Sequence, residues 1–210
     1  MAPELLPEVV AGYLDDTPAA GPVLRVLIDG PRCAEPGALA DALIDPLRRR
    51  SRPALRVRAG DFLRDASLRY EHGRQDVESY YSGWTDLAAL RREVLAPLGP
   101  AGSGRYLPSL RDPATNRATR AAPEPAPERA VLLLDGELLL GAGLPADVEI
   151  HLLQSPGARA RRMAERAPDW AWTLPALERY DQEVEPDQIA HLVIRVDDPR
   201  HPAVRLTGTA

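Results

Sequence analysis

LRVLIDGPRCAEPGALADAL, residues 24–43, joins an apolar run to a helical pattern through a short loop bearing Gly30, Pro31, Pro36 and Gly37. Val23 to Ile28 is apolar apart from Arg25 and rich in branched side chains, as suits a strand buried on both faces, and a helix is expected over Ala38–Arg50. A strand, a glycine-bearing turn and a helix in succession form the opening unit of a parallel sheet covered by helices. Further strands are expected at Ala54–Val57, Ala130–Leu134, Val148–Leu153 and His191–Val196, with helices at Val77–Leu95, Gly157–Arg166 and Leu174–Val184. The expected fold class is therefore α/β, with a five-stranded, mostly parallel sheet. Ligands of such sheets bind beyond the carboxyl ends of the strands, where this chain has IDGPRC, AGDF and LLDGE.

At 210 residues the chain suits one compact domain. Residues 1–22 read as an N-terminal extension, 23–199 as the domain and 200–210 as a tail, with both ends expected to be loosely held. The Gly- and Pro-rich stretch 99–128 reads as an excursion over the sheet. A formal charge of −5 gives no basic excess, so neither nucleic acid nor an anionic membrane is an expected partner. The N-terminus lacks the basic flank and apolar run of a secretory signal, and a cytoplasmic location is expected. The single cysteine, Cys33, permits no internal disulfide and is expected to be inert. All 26 basic residues counted as Lys or Arg are arginines, so any chemistry requiring a lysine is closed to this chain.

These segments, in this order, resemble the uridine kinase-like branch of the P-loop nucleoside kinases. The resemblance runs from about Val23 to Pro199 and rests on VLIDGP with LADAL, GDF at Gly60–Phe62, RYEHGR, Tyr80-Tyr81, LRREVLAPLGP, VLLLDGELLL, RYDQEVEP and VDDP. It implies a three-layer P-loop fold and, in an active member, phosphoryl transfer from ATP or GTP to a nucleoside such as uridine or cytidine with Mg²⁺. Such loops cradle phosphate with backbone N–H groups, a lysine and a magnesium-binding hydroxyl. Matching Asp29-Gly30 and Leu39-Ala40 to that pattern puts Glu35 at the second loop glycine, Pro36 at the lysine and Gly37 at the hydroxyl. A carboxylate and a proline there repel phosphate and remove a donor.

Site roles follow from the resemblance, residue by residue. Gly30, Arg32 and Gly37 fall in the nucleotide loop, and Arg162 and Arg166 in a lid; arginines at such spacing otherwise form a solvated face. The family's base position falls on Gly60, leaving Asp61 as the candidate catalytic carboxylate or a simple helix cap. Asp86, Arg105, Asp112 and Thr115 match the nucleoside-binding region, with a capping role as the other reading of Asp86. Asp135 matches the magnesium carboxylate, or else a strand-end turn. The expectation is a pseudokinase that binds a nucleoside-like ligand or a protein partner and needs no cofactor; the alternative is a nucleoside kinase using Mg²⁺ and ATP or GTP at a non-standard phosphate site.

Overall fold

The computed structural model describes residues 1–207. Its central sheet contains β1 (Leu24–Asp29), β2 (Ala54–Arg58), β3 (Val131–Gly136), β4 (Val148–Leu153), β5 (Leu192–Arg195) and β6 (Ala203–Leu206). They lie in the order β6-β5-β4-β1-β3-β2, all parallel except β6, which runs antiparallel to β5. The sheet thus has six strands where five were expected. Residues 203–206 gave little signal because an edge strand buries little: Ala203, Arg205 and Leu206 are exposed, and backbone pairing to β5 holds the segment.

Alternation along β1 sends side chains to opposite faces. Leu24, Val26 and Ile28 join Leu39, Leu43 and Leu47, whereas Val23 and Leu27 join Leu90, Val94 and Leu95. Helices therefore cover both faces, making three layers. The first face also receives α1 (Leu6–Asp16), whose Val10, Ala11 and Leu14 are fully buried. The N-terminal extension is consequently docked. An 11-residue helix is marginal in isolation, so its order comes from this packing, which local composition does not reveal.

Two expected helices are interrupted. Ala38–Arg50 divides into α2 (Pro36–Ala42) and α3 (Ile44–Arg49). Val77–Leu95 stops after α4 (Val77–Gly83) and restarts where Asp86 accepts the Ala89 amide at 2.8 Å. Beyond β4 come α5 (Pro156–Arg166), a 3₁₀ turn at Pro168–Thr173 and α6 (Leu174–Val184). The 99–128 excursion contains two short ribbons, Arg105–Tyr106 with Glu124–Pro125 and Arg111–Asp112 with Arg117–Ala118. Among the described residues no helix is long and apolar enough to cross a membrane.

Candidate functional site

The loop after β1 is folded in on itself. Gly30 donates its amide to the Gly136 carbonyl at 3.1 Å, and an added Cβ would come within 2.8 Å of Leu152 Cβ, so a side chain does not fit there. Arg32–Ala34 forms a 3₁₀ turn in which the Ala34 and Glu35 amides donate to the Pro31 and Arg32 carbonyls. The Arg32 amide donates to Glu137 Oε1 at 2.8 Å, while its guanidinium reaches Glu137 Oε2 at 2.5 Å. Pro31 and Pro36 have no amide hydrogen. Six of the eight positions from 30 to 37 (four bonded amides and two prolines) therefore offer no amide to a ligand. The nest of free N–H groups that grips phosphate elsewhere is closed.

Asp135, at the end of β3, is held by a cation of the chain itself. Arg56 on adjacent β2 bonds Asp135 Oδ1 at 2.8 Å, the Leu133 carbonyl at 3.0 Å and Asp41 at 2.8 Å. Burial pushes the Asp135 carboxyl above its ordinary range, with Arg56 opposing that shift. Gly37 faces this carboxylate: an added Cβ would lie 3.0 Å from Asp135 Oδ2. Among the described residues no group of three or more His, Cys, Asp or Glu side chains is placed to hold a metal ion. A magnesium–triphosphate unit does not fit a carboxylate already ion-paired, a loop without lysine or hydroxyl, and amides turned inward.

A cavity of about 510 Å³ opens beside these groups. Leu63, Tyr80, Trp84, Leu138 and Trp170 supply much of its wall, with Arg58 and Thr85 among its polar groups. The aromatic rings form one cluster: Tyr80 meets Trp84 edge-on at 5.3 Å, Trp84 meets Trp170 at 5.7 Å, and Trp170 stacks on Trp172 at 6.0 Å. The Arg32 guanidinium lies 3.4 Å from the Trp170 ring centroid, joining the loop to the turn after α5. Tyr80 donates its hydroxyl to Glu137 Oε2 at 2.9 Å, and burial, followed by the nearby Glu137 charge, pushes its pKa well up.

Of the residues picked from sequence, Arg32, Gly37 and Asp135 line this cavity together. Asp61 does not, although its neighbour Gly60 does; burial raises the Asp61 carboxyl, with Arg58 opposing and Asp135 and Asp112 adding to the rise. Asp86 caps a helix, while Thr85 beside it lines the wall. Asp112 and Thr115 bond each other at 2.9 Å in a ribbon tip whose Pro113 reaches the cavity. Arg105 is exposed and donates to the Pro123 carbonyl at 2.5 Å. Arg166 and Arg162 approach Glu35 at 2.5 and 3.9 Å. The helix carrying them is not a solvated face throughout: Arg159 and Arg162 are buried, the former bonded to Asp181 at 2.7 Å. Cys33 is buried, bonds Gln154 Oε1 at 3.2 Å, and has its thiol pushed up by burial, consistent with an inert group.

Sequence reasoning missed Arg56, Glu137, Trp84 and the role of Tyr80 as a cavity wall. A signal for the first existed in ALRVR, where alternation puts Arg56 and Arg58 on one side of β2, two residues apart at the ligand-binding end.

The strand order, with helices on both faces of a mostly parallel sheet, matches a P-loop kinase-like fold. Solved structures with this fold include a candidate uridine kinase from Bacillus stearothermophilus, with TM-score 0.72, 17% identity and coverage of 89% of this chain and 96% of that one. A candidate fructose transport system kinase from Silicibacter sp. TM1040 superposes with TM-score 0.60 and 22% identity, covering 89% of this chain and 91% of that one. The YGR205w protein follows with TM-score 0.58 and 9% identity over 96% of this chain and 95% of that one. No protein-family model matches the sequence, and no curated protein matches it significantly.

Proposed function

We propose that this chain is a pseudokinase that binds a small, flat, nucleoside-like ligand in the aromatic cavity without transferring phosphate. The observation that carries the reading is the inward-turned loop, whose Arg32 amide is taken by Glu137 and whose Gly30, Ala34 and Glu35 amides are taken by backbone carbonyls. The Arg56–Asp135 pair supports it, because a neutralised carboxylate has little to offer a hard cation. The cavity itself stays open, and the largely apolar wall to which Leu63, Tyr80, Trp84, Leu138 and Trp170 contribute suits a small ligand with apolar surface. Calorimetric titration with a panel of nucleosides, with and without Mg-ATP, tests the proposal. Nucleoside binding that is indifferent to Mg-ATP, with no heat from Mg-ATP alone, is expected; tight Mg-ATP binding would refute it.

A second reading is favoured by one observation. Asp61 has no ion-pair partner among the described residues and its carboxyl is raised by burial, both suited to a base that accepts a hydroxyl proton. On that reading the chain transfers phosphate from a nucleoside triphosphate to a nucleoside. Labelled-phosphate transfer, lost in Asp61→Ala and Asp135→Ala, would establish it, and absence of transfer across the nucleoside panel would end it.

A further inference from the structure

The cavity of about 510 Å³ holds one charge that the chain does not match. Its charged lining side chains are Arg32, Glu35, Arg58, Asp135 and Glu137. Arg32 meets Glu137 at 2.5 Å, Glu35 meets Arg166 at 2.5 Å and Asp135 meets Arg56 at 2.8 Å. Among the described residues the Arg58 guanidinium alone in this set has neither an ion-pair nor a hydrogen-bond partner. The hydroxyl of Thr85, which lines the same cavity, is also without a partner among the described residues.

The register of the sheet explains why. Arg58 ends β2 and stands opposite Asp135 in the pairing with β3, where the two charges could answer each other. Arg56, two residues earlier and on the same side of β2, instead reaches Asp135 Oδ1 at 2.8 Å and Asp41 at 2.8 Å, so that carboxylate is already matched. Arg58 is left exposed at the ligand-binding end of the sheet. Burial raises the Asp61 and Asp135 carboxyls and the Arg58 charge helps to lower them, yet neither forms an ion pair with it.

We propose that Arg58 selects the ligand of this cavity by charge: the ligand is a small organic monocarboxylate whose body lies against the apolar wall and whose carboxylate pairs with the Arg58 guanidinium. A guanidinium presents parallel N–H donors that match the two oxygens of a carboxylate. A neutral ligand would strip water from Arg58 without replacing it by an acceptor charge. A phosphate monoester brings close to twice the charge, and its repulsion by Glu35, Asp135 and Glu137 on the same cavity is roughly doubled. The inference rests on the reading of this cavity as a ligand site and names the chemical class that the site takes.

The test is calorimetric titration of the full chain, at pH 7 and constant ionic strength, with phenylacetate, indole-3-acetate and uracil-6-carboxylate, each beside its primary amide, and with phenyl phosphate and uridine. The wild type, Arg58→Gln and Arg58→Lys are compared, with circular dichroism confirming that each is folded. At least one acid is expected to bind the wild type about tenfold more tightly than its amide, and Arg58→Gln is expected to lose that preference. Arg58→Lys, which keeps the charge without the paired donors, should retain part of it. Binding of no acid, equal affinity for acid and amide, a preference that survives in Arg58→Gln, or tighter binding of phenyl phosphate than of phenylacetate would each overturn the proposal. Uridine separates this idea from the nucleoside reading. Uridine binding with no preference for acids removes the inference alone; Arg58-dependent acid binding without uridine binding removes the nucleoside reading alone; and binding of nothing removes both.

Discussion

If Glu137 closes the loop, Glu137→Ala should both destabilise the chain and loosen residues 30–37. The side chain is 12% exposed and accepts three bonds, from the Arg32 amide at 2.8 Å, the Arg32 guanidinium at 2.5 Å and the Tyr80 hydroxyl at 2.9 Å. Arg32 itself remains 28% exposed, so water compensates part of its loss. Hydrogen bonds to charged groups contribute about 1.5–3 kcal/mol each, and breaking a buried pair by removing one partner costs about 3–5 kcal/mol. Partial rehydration of Arg32 places the expected cost near the lower end, about 3 kcal/mol. For a chain of this size that corresponds to a fall of roughly 6–12 °C in Tm. Urea denaturation of wild type, Glu137→Ala, Arg32→Ala and the double variant gives the coupling directly, and about 2 kcal/mol is expected between the two sites. Tryptophan emission should shift in both single variants, because Arg32 covers the Trp170 ring. A cost below about 1 kcal/mol with no coupling would show that the loop stays closed for reasons other than Glu137, and the reasoning would fail.

Three further outcomes are expected. Leu14→Ala, which empties a fully buried position on α1, should cost about 2–5 kcal/mol by urea denaturation; a negligible change would mean that the N-terminal helix is not docked. Arg25 and Asp147 form a buried pair at 2.9 Å, with side chains 8% and 5% exposed, so Asp147→Ala should cost about 3–5 kcal/mol by the same measure. Burial makes folded Asp61 hold its proton more tightly than the unfolded chain, so its contribution to stability is present below its ordinary value of 3.8 and lost as pH rises through the higher folded value. Asp61→Asn should therefore gain stability at pH 7 relative to its effect at pH 3, and an equal effect at both would contradict the shift.

Much of the fold was legible because its signals are local. The apolar runs at Val131 and Val148 are strands in the structure, and the loop after β1 stands at a strand end as expected. Glu35, Pro36 and Gly37, at positions where the resemblance expects a glycine, a lysine and a hydroxyl, are likewise legible in the sequence alone. Other features escaped because their causes are distant. The buried face of α1 has no partner until the sheet exists, and Asp86 ends one helical pattern and begins another through a single cap. Glu137 meets Arg32 across 105 residues.

The chain's own residues determine the periodicities, the missing lysine and the carboxylate in the loop, since each depends on what stands next to what along the backbone. Only the tertiary structure decides which charges meet. Arg56 neutralises Asp135 because β2 pairs with β3 in one particular register, and Glu35 faces α5 because β4 lies beside β1 and delivers that helix to the loop. Coulomb energy falls with distance through space, and strand order sets that distance.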